Sequence, residues 1–354
     1  MYSTIKKQEL LRWYNLNINK RYMPWRSTND PYKIWLSEIM LQQTQVKTVI
    51  PYYNKWIKKY PTLESVAKSN IDDLLKIWEG LGYYSRCRNF HKASIKIFKD
   101  YNGKIPEDFD QFKKLPGVGE YTAGAVLSIA YGKKIPAIDT NILRVMSRIL
   151  GLKERSKSNL NKIKKNLIDY LSTEKPGDIN QALMDLGSMI CKNKDPYCQN
   201  CIFQDICKAW EVGDPEGFPA KNKKVAVKKI LMSSGILVDD ELILIAKKKN
   251  GIYREMWQFP SVSITSSTKD NLIKKKFKEE FGIKIKSMSL IGSFNHLLSH
   301  RNIYVKVFTI SARKTLIESK NLKWIKAKKL NLFPMPNLHK RVFEIFHNYK
   351  NGSK

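Results

Sequence analysis

Apolar residues recur at helical spacing, three and four positions apart, through the first 210 residues of the chain. Asp30 and Pro31 mark the start of one such segment, since aspartate is a good N-cap and proline is tolerated at the first helical position. Short Gly and Pro stretches separate the segments, so this part of the chain is predicted to be all-α. The predicted helices cover residues 8–15, 31–57, 71–78, 88–98, 142–150 and 160–171.

The pattern changes after residue 212. Residues 213–219 are rich in Gly, Pro and Asp and precede a basic stretch at 221–229, which together predict an interdomain linker. Beyond the linker, alternating apolar and polar positions predict strands, two of which flank Asp239 and Asp240 as a hairpin. The C-terminal part is therefore predicted to be a separate α+β domain. Its predicted strands cover 231–238, 241–246 and 302–310, and its predicted helix covers 270–281.

Residues 115–125 read Leu-Pro-Gly-Val-Gly-Glu-Tyr-Thr-Ala-Gly-Ala, and helical periodicity resumes from Tyr121. Pro116 ends the preceding helix, and Gly117 and Gly119 predict a tight hairpin because glycine turns sharply without steric cost. The motif is interpreted as helix, hairpin, helix, with backbone N–H groups that would seat a DNA phosphate. An ordinary helix corner with a glycine turn is the alternative.

The chain has 354 residues and a formal charge of +32, from 64 Lys and Arg against 32 Asp and Glu. Such an excess favours a polyanionic partner, either nucleic acid or an anionic membrane surface, although a solvated lysine coat would give the same composition. The first residues lack the apolar core of a secretory signal, and no run is long enough to span a bilayer. These features predict a soluble, intracellular protein. Of the two polyanionic partners we expect nucleic acid and no membrane, and we expect the protein to be cytoplasmic, nucleoid-associated and monomeric.

Four of the five cysteines lie close together near residue 200, with six, two and five residues between them. This spacing fits a metal site in a reducing compartment better than a set of disulfides. Structural zinc usually takes two Cys-x-x-Cys pairs, whereas only one is present, so the spacing favours an iron–sulfur cluster over zinc. The predicted ligands of a 4Fe-4S cluster are Cys191, Cys198, Cys201 and Cys207.

Six features of the chain, taken together, resemble the helix-hairpin-helix base-excision DNA glycosylases and, within them, the adenine DNA glycosylase (MutY) family. The resemblance extends over nearly the whole chain. It implies a DNA-repair enzyme that rotates adenosine out of the duplex and hydrolyses the N-glycosidic bond of adenine mispaired with 8-oxoguanine or guanine. The features are Met-Pro-Trp-Arg at 23–26, Ser-Glu-Ile-Met-Leu-Gln-Gln-Thr-Gln-Val at 37–46, Gly-Leu-Gly-Tyr-Tyr at 80–84, the hairpin at 115–125, Asp-Thr-Asn at 139–141 and the four cysteines.

The resemblance also implies the domain organisation and the partner. The partner is double-stranded DNA that contains an adenine:8-oxoguanine or adenine:guanine mispair. The helical glycosylase unit is expected at 1–212, with a helix-hairpin-helix subdomain at about 25–135, an iron–sulfur subdomain at 1–24 plus 136–212, a linker at 213–229 and a Nudix-like lesion-recognition domain at 230–354.

Breaking an N-glycosidic bond needs an acid for the leaving base and a negative charge beside the developing sugar cation. Glu38 has Ile34, Trp35 and Leu41 as helical neighbours, so burial should raise its pKa and make it the acid. Asp139 precedes a predicted helix, whose N–H groups and dipole favour the ionised carboxylate. A buried salt bridge for Glu38 and a simple N-cap for Asp139 are the alternatives. The resemblance places both residues at the family's catalytic positions.

Tyr121 occupies the position at which the related endonuclease III-like enzymes carry a Schiff-base lysine. Without that amine, β-elimination loses its covalent route, so we expect a monofunctional glycosylase that leaves an abasic site. An endonuclease III-like glycosylase and lyase for damaged pyrimidines is the closest alternative, and a lysine at position 121 would favour it. A non-catalytic iron–sulfur DNA-binding protein is the second, and loss of Glu38 or Asp139 would favour it.

Further site residues follow from the resemblance. Gln43 and Tyr83 are expected to fill or wedge the duplex beside the flipped base, although Tyr83 would equally suit core packing. The residues expected to form the adenine pocket are Arg21, Trp25, Arg26, Asn141 and Gln181.

Residues from about 230 onward resemble a Nudix-like domain, most clearly in Met-Trp-Gln-Phe-Pro at 256–260. A Nudix hydrolase needs acidic metal ligands along its helix. Residues 279–283 keep Glu-Glu-Phe-Gly-Ile, but Lys275 and Lys276 stand where Arg-Glu is expected, so the magnesium site is predicted to be broken. The domain is therefore expected to bind and not to hydrolyse.

Residues 295–300, Asn-His-Leu-Leu-Ser-His, are predicted to form a loop between two strands. They resemble the family's Phe-Ser-His element, which reads 8-oxoguanine, with Leu298 in place of the aromatic ring. A hydroxyl and an imidazole suit that lesion, and Ser299 can accept from its N7–H donor while His300 lies beside it. A polar loop without a recognition role is the alternative.

Overall fold

The computed structural model of the protein describes residues 2–17, 22–221, 226–248, 250–265, 268–298, 300–312 and 321–352, with side chains from residue 6 onward. The chain divides into two compact units. One consists of Met1–Ser69 and Arg88–Lys223, and the other of Asn70–Cys87 and Lys224–Lys354. The short segment 70–87 thus groups with the C-terminal residues, which the sequence pattern does not predict. None of the described helices is long and apolar enough to cross a membrane.

The first 212 residues are mainly helical, as predicted, but the single helix predicted over 31–57 is wrong. It is two helices, broken at residues 42–45. Gln43 has a φ of 55°, a left-handed backbone conformation that a right-handed helix does not contain. The helices are α1 (Tyr2–Asn17), α2 (Pro31–Leu41), α3 (Val46–Lys59), α4 (Leu63–Ala67), α5 (Ile71–Trp78), α6 (Ser85–Asp100), α7 (Phe109–Lys113), α8 (Glu120–Tyr131), α9 (Thr140–Ile149), α10 (Lys157–Leu171), α11 (Pro176–Met189) and α12 (Lys208–Glu211).

Helices α7 and α8 flank the predicted hairpin. Gly117 has a φ of 79°, and a Cβ there would come within 2.8 Å of the Asn89 Cβ, so this position requires glycine. Gly119 differs from the prediction. It is the N-cap of α8 with φ −97° and ψ 177°, an extended conformation open to any residue, and a Cβ there would meet nothing within 4 Å. Of these two glycines, only Gly117 is required by the turn.

An apolar core joins α1 to the helices that follow the hairpin. Leu10 and Tyr14 of α1 share this core with Ile142 of α9, Leu167 of α10 and Leu183 of α11. In addition, α8 contacts both α2 and α11, and α11 contacts α9. These contacts allow side chains from α2, α8, α9 and α11 to face one cavity.

The described residues of the second unit form a seven-stranded mixed sheet and two helices besides α5. The strands are β1 (Lys228–Asp239), β2 (Leu242–Lys247), β3 (Trp257–Gln258), β4 (Ser261–Ile264), β5 (Ile285–Leu298), β6 (Arg301–Ala312) and β7 (Leu322–Lys326), and the helices are α13 (Asp270–Phe281) and α14 (Asn337–Gly352). Strand β1 pairs with β6 in parallel, and β6 pairs with β5 antiparallel. The hairpin predicted at Asp239 and Asp240 is confirmed, since Val238 pairs with Ile243. The helix predicted over 270–281 is α13, and its Phe277 packs into an apolar core.

The recognition loop predicted at 295–300 is mostly strand, so that prediction is wrong. Residues 295–298 belong to β5, and Leu298 pairs with Arg301 of β6, which leaves a two-residue connection. The polar residues suggested a loop, but they continue the alternation of the strand. Ser299 lies outside the described residues, and His300 is exposed at the turn. Leu297 is 73% exposed and Leu298 only partly, so Leu297 is the more accessible apolar side chain.

Candidate active site and cysteine loop

The first unit contains a cavity of about 1290 Å³ lined by residues of α2, α8, α9 and α11. Most of the residues predicted to act on the base line this cavity, although they come from separate parts of the sequence. Arg21, which was also predicted, lies outside the described residues. The predicted residues that line the cavity are Trp25, Arg26, Glu38, Gln43, Tyr121, Asp139, Asn141 and Gln181.

Glu38 lies in α2 and is almost completely buried, with 6% of its surface exposed. Burial raises the pKa of its carboxyl group to about 7, which confirms the prediction made from its apolar neighbours. The Tyr121 hydroxyl donates a hydrogen bond to Oε2 of Glu38 and opposes this shift. A carboxyl group with this pKa is partly protonated at neutral pH and can serve as a general acid.

Asp139 is the N-cap of α9. Its Oδ1 accepts from the Ile142 backbone N–H at 2.7 Å, and its Oδ2 accepts from Asn141 Nδ2 at 2.7 Å. Burial nevertheless raises the pKa of Asp139 above its ordinary value, and these hydrogen bonds oppose the shift. The contrast with Glu38 is therefore weaker than predicted, because position in sequence does not reveal that Asp139 faces the same cavity. Both carboxyl groups face one cavity, and this arrangement suits proton donation by Glu38 beside the Asp139 carboxylate, whose two oxygens accept hydrogen bonds.

A chain of hydrogen bonds leads from Asp139 to the cysteine loop. Asn141 donates to Asp139, and its Oδ1 accepts from Arg144 Nη2 at 2.9 Å. Arg144 Nε donates in turn to the carbonyl oxygen of Cys191 at 2.8 Å. Sequence reasoning missed Arg144. Its position could have indicated a role at the site, because Arg144 lies in the first two turns of the helix that begins directly after Asp139.

Arg26 is held from two sides. Its Nη1 donates to Oδ2 of Asp185 at 2.6 Å, in a pair whose side chains are only 12% and 10% exposed. Its guanidinium carbon lies 5.5 Å from the centre of the Tyr14 ring. Sequence reasoning also missed Asp185. It follows Gln181 by four residues, which places both side chains on the same face of α11.

All four predicted cysteine ligands line one small cavity together with Arg148. Arg148 is buried, and its Nη1 lies 3.3 Å from Sγ of Cys191. Lys6 of α1 reaches the same loop and donates to the carbonyl oxygen of Ile202 at 2.8 Å. A buried guanidinium beside four thiols would offset the negative charge of a cluster and its thiolates, so the residues fit a 4Fe-4S group. As they stand, no three His, Cys, Asp or Glu side chains in the described ranges are grouped closely enough to hold a metal ion.

Gln43 and Tyr83, predicted to probe the duplex, have φ angles of 55° and 46°. Positive φ is uncommon outside Gly, Asn and Asp, and for a bulky ring it marks a strained position of the kind found at binding sites. Gln43 is exposed where it lines the cavity of the first unit. Tyr83 belongs to the second unit and is 42% exposed, which disfavours the core-packing alternative.

The helix that would carry magnesium ligands in a Nudix hydrolase is α13. Its Glu279 and Glu280 line a cavity of about 430 Å³ together with Lys248 and Lys276. Lys276 Nζ donates to the carbonyl oxygen of Ser263 at 2.6 Å, and Lys248 Nζ lies 3.8 Å from Glu280. Two ammonium groups thus share the cavity with two carboxylates, which supports the prediction of a broken magnesium site.

Two protein families match the sequence. The HhH-GPD superfamily of base excision DNA repair proteins matches residues 36–169, and the NUDIX domain family matches residues 234–344. These matches confirm the predicted fold class, a helix-hairpin-helix glycosylase part followed by an α+β Nudix-like domain.

The sequence is also similar to named proteins. It is 35% identical to the adenine DNA glycosylase of Buchnera aphidicola subsp. Baizongia pistaciae over 90% of this chain and 89% of that protein. It is 26% identical to the adenine DNA glycosylase of Homo sapiens over 99% of this chain and 75% of that protein. The solved structure of a thermostable thymine-DNA glycosylase matches with a TM-score of 0.54 at 30% identity, covering 59% of this chain and 97% of that chain.

Proposed function

This chain belongs to the adenine DNA glycosylase family, and we propose that it excises adenine paired with 8-oxoguanine or with guanine. It acts in DNA repair as a glycosylase, a hydrolase of the N-glycosidic bond between base and deoxyribose. A formal charge of +32 supports binding to duplex DNA, since neutralising phosphates contributes most of the affinity of such proteins. The choice of mispair is proposed from the sequence motifs that resemble the family.

The observation that carries the mechanism is the presence of Glu38 and Asp139 in one cavity, with the pKa of Glu38 raised to about 7. A base can reach such a cavity only after it is rotated out of the duplex. Glu38 then donates its proton to the adenine ring, and the C1′–N9 bond breaks with its electron pair leaving on the base. The Tyr121 hydroxyl donates to the carboxylate that remains on Glu38.

Loss of the base leaves a sugar cation, which the negative charge of Asp139 stabilises. A water molecule adds to C1′ and releases a proton, so the product is an abasic site. A lysine at position 121 would attack C1′ instead, but Tyr121 offers no amine and its hydroxyl is hydrogen-bonded to Glu38. We therefore propose a monofunctional enzyme whose product strand is cut only after alkali treatment.

Replacing Glu38 with glutamine tests the acid. Glu38→Gln keeps the shape of the side chain but has no proton to transfer, so base release should fall about 10²- to 10⁴-fold while duplex binding persists. Single-turnover cleavage of an adenine:8-oxoguanine duplex, analysed with and without alkali, measures the change. Glu64→Gln, at an exposed glutamate, is the control. Release within tenfold of wild type would show that Glu38 is not the acid, and nicking without alkali would reveal a lyase.

We also propose that the four cysteines hold a 4Fe-4S cluster, which when bound cross-links their thiolates and holds residues 191–207 in one shape. Purified protein should then contain about four irons per chain, as expected for a Cys₄-bound cubane. Cys198→Ser should lose iron and DNA affinity, whereas Cys87→Ala, outside the cysteine cavity, should keep both. Iron analysis and visible absorption check this. Stoichiometric zinc without iron would contradict it.

We propose the second unit as the part that reads the base opposite adenine. His300 is exposed at the turn between β5 and β6, and Tyr83 is exposed in the same unit. Ser299 lies outside the described residues; it precedes His300 in the sequence, and its hydroxyl would accept from the N7–H of 8-oxoguanine. The domain boundaries predicted from the sequence, with residues 230–354 as the recognition domain, belong to this proposal.

A further inference from the structure

Asp72 fastens helix α5 to the sheet of the second unit. Its Oδ1 accepts from Lys247 Nζ at 2.6 Å, and its Oδ2 accepts from the indole Nε1 of Trp257 at 3.0 Å. Lys247 and Trp257 are paired neighbours on β2 and β3, and Trp257 is buried. Because both carboxylate oxygens are used, the orientation of α5 on the two strands is defined. The Met-Trp-Gln-Phe-Pro motif at 256–260 thus provides the docking position for α5.

A second group of contacts fixes the C-terminal end of α5. Glu79 follows the helix directly, its side chain is buried, and it accepts from Lys76 Nζ at 2.6 Å. Glu79 also pairs with Lys340 of α14. Lys76 Nζ donates in addition to the carbonyl oxygen of Phe333 at 3.3 Å. Residues of the C-terminal part therefore hold both ends of α5.

The loop after α5 presents Tyr83 on a strained backbone. Gly80 and Gly82 have φ angles of 99° and 76°, and Tyr83 itself has a φ of 46°. Trp78 Nε1, at the end of α5, donates to the Gly82 carbonyl oxygen at 3.1 Å, and Arg86 Nη2 donates to the same oxygen at 3.2 Å. The Arg86 guanidinium lies 5.4 Å from the centre of the Tyr83 ring. The position of the exposed ring therefore follows the position of α5.

We propose that Asp72 is a positioning residue for Tyr83: by docking α5 on Trp257 and Lys247, it makes the Tyr83 wedge part of the body that carries the C-terminal sheet. The inference rests on the proposed role of Tyr83 in wedging the duplex. In this proposal the Met-Trp-Gln-Phe-Pro motif at 256–260 holds α5 in place, a structural role that is separate from nucleotide hydrolysis. The unit that carries His300 then also determines where the Tyr83 ring enters the DNA, so lesion reading and wedging are coupled through α5.

Asp72→Ala tests this coupling, with Asp73→Ala, the exposed neighbouring aspartate on α5, as the matched control. The probe is an adenine:8-oxoguanine duplex with 2-aminopurine beside the mispair, because the fluorescence of this base rises when a wedge unstacks it. Loss of two charge-assisted hydrogen bonds should reduce the fluorescence change and weaken duplex affinity by about tenfold, while Asp73→Ala behaves like wild type. Trp257→Phe removes the indole N–H together with the pyrrole ring that carries it, and it should act in the same direction, so it provides a second test of the same contact if Asp72→Ala folds poorly.

A double-mutant cycle with Tyr83→Ala separates positioning from a general loss of stability. If Asp72 acts through Tyr83, Asp72→Ala should cause no further change in the Tyr83→Ala background. A full additional loss in that background would overturn the inference. Wild-type behaviour of both Asp72→Ala and Trp257→Phe, alongside a defect in Tyr83→Ala, would overturn the inference alone. Wild-type behaviour of Tyr83→Ala would overturn the wedge role itself, and the inference with it.

Discussion

At the scale of single residues, the pKa of Glu38 is set by two influences that raise it and two that lower it. Burial and the nearby charge of Asp139 raise its pKa, whereas the hydrogen bond from Tyr121 and the charge of Arg26 lower it. The sequence predicts the burial, because the apolar neighbours lie on the same helix. It does not predict how strongly the other three act, because they come from other elements and meet Glu38 only in the folded protein.

Asp185 pairs with Arg26, so it should limit the effect of the Arg26 charge on the pKa of Glu38. Base release by wild type should fall as the pH rises through about 7, since the acid must carry its proton. Asp185→Asn removes the balancing charge, so Arg26 should lower the pKa of Glu38 and move this fall to lower pH. Single-turnover rates measured from acidic to alkaline pH check the shift, with the exposed Asp169→Asn as control. Superimposable profiles would show that Asp185 does not influence Glu38.

At the scale of secondary-structure elements, apolar periodicity predicts helices and strands that have one buried face. It does not predict where the backbone breaks such an element in two. The helix predicted over 270–281 is confirmed at both ends, and Gly282 ends it with a φ of 73°. The helix predicted over 31–57 is two helices, because a polar run permits the backbone reversal at Gln43 that apolar spacing alone does not reveal. The polar residue types near 295–298 predict a loop, whereas the alternation of side chains along β5 continues to Leu298, which pairs with Arg301.

Gly124 lets α8 approach the segment that leads to Asp139. A Cβ at Gly124 would overlap the carbonyl oxygen of Pro136. Gly124→Ala should therefore lower the free energy of unfolding by about 1–3 kcal/mol and slow base release by shifting Asp139. Gly119→Ala is the matched control, because its backbone suits alanine and its Cβ would meet nothing within 4 Å. Urea unfolding checks both variants, and equal stabilities would contradict the close approach. Any loss of DNA affinity in Gly119→Ala would then report on the hairpin contact with DNA.

At the scale of the whole molecule, residues far apart in sequence hold each unit together. In the first unit Lys6 binds the carbonyl of Ile202, 196 positions away, and in the second Asp72 binds Trp257, 185 positions away. Periodicity indicates which face of an element is buried but not which element covers it. For this reason the two domain types follow from the sequence, whereas the grouping of residues 70–87 with the C-terminal part does not.

The second unit also buries a histidine that cannot be charged without cost. His339 of α14 is fully buried, and neither of its ring nitrogens has a hydrogen-bond partner in the part of the chain that the structure describes. The rings of Tyr253 and Phe259 lie 6.4 and 6.3 Å away, centre to centre. Burial lowers the pKa of His339 from 6.5 to about 3, and Lys248 and His296 act in the same direction. The folded unit therefore holds the neutral ring.

Acid should destabilise the second unit through His339. Its folded pKa lies below its unfolded pKa of 6.5, so the stabilisation is fully present above that pH and is lost as the pH falls, because only the unfolded chain takes up the proton. The loss amounts to about 2 kcal/mol at about pH 5.

His339→Leu should abolish this loss and also stabilise the unit at neutral pH, since no unpaired polar atoms remain buried at that position. Urea unfolding at neutral and acidic pH, with proteolytic mapping of fragments from the second unit, measures both effects. The exposed His347→Leu should keep the acid sensitivity of wild type. Equal acid sensitivity in His339→Leu would assign the response to other groups.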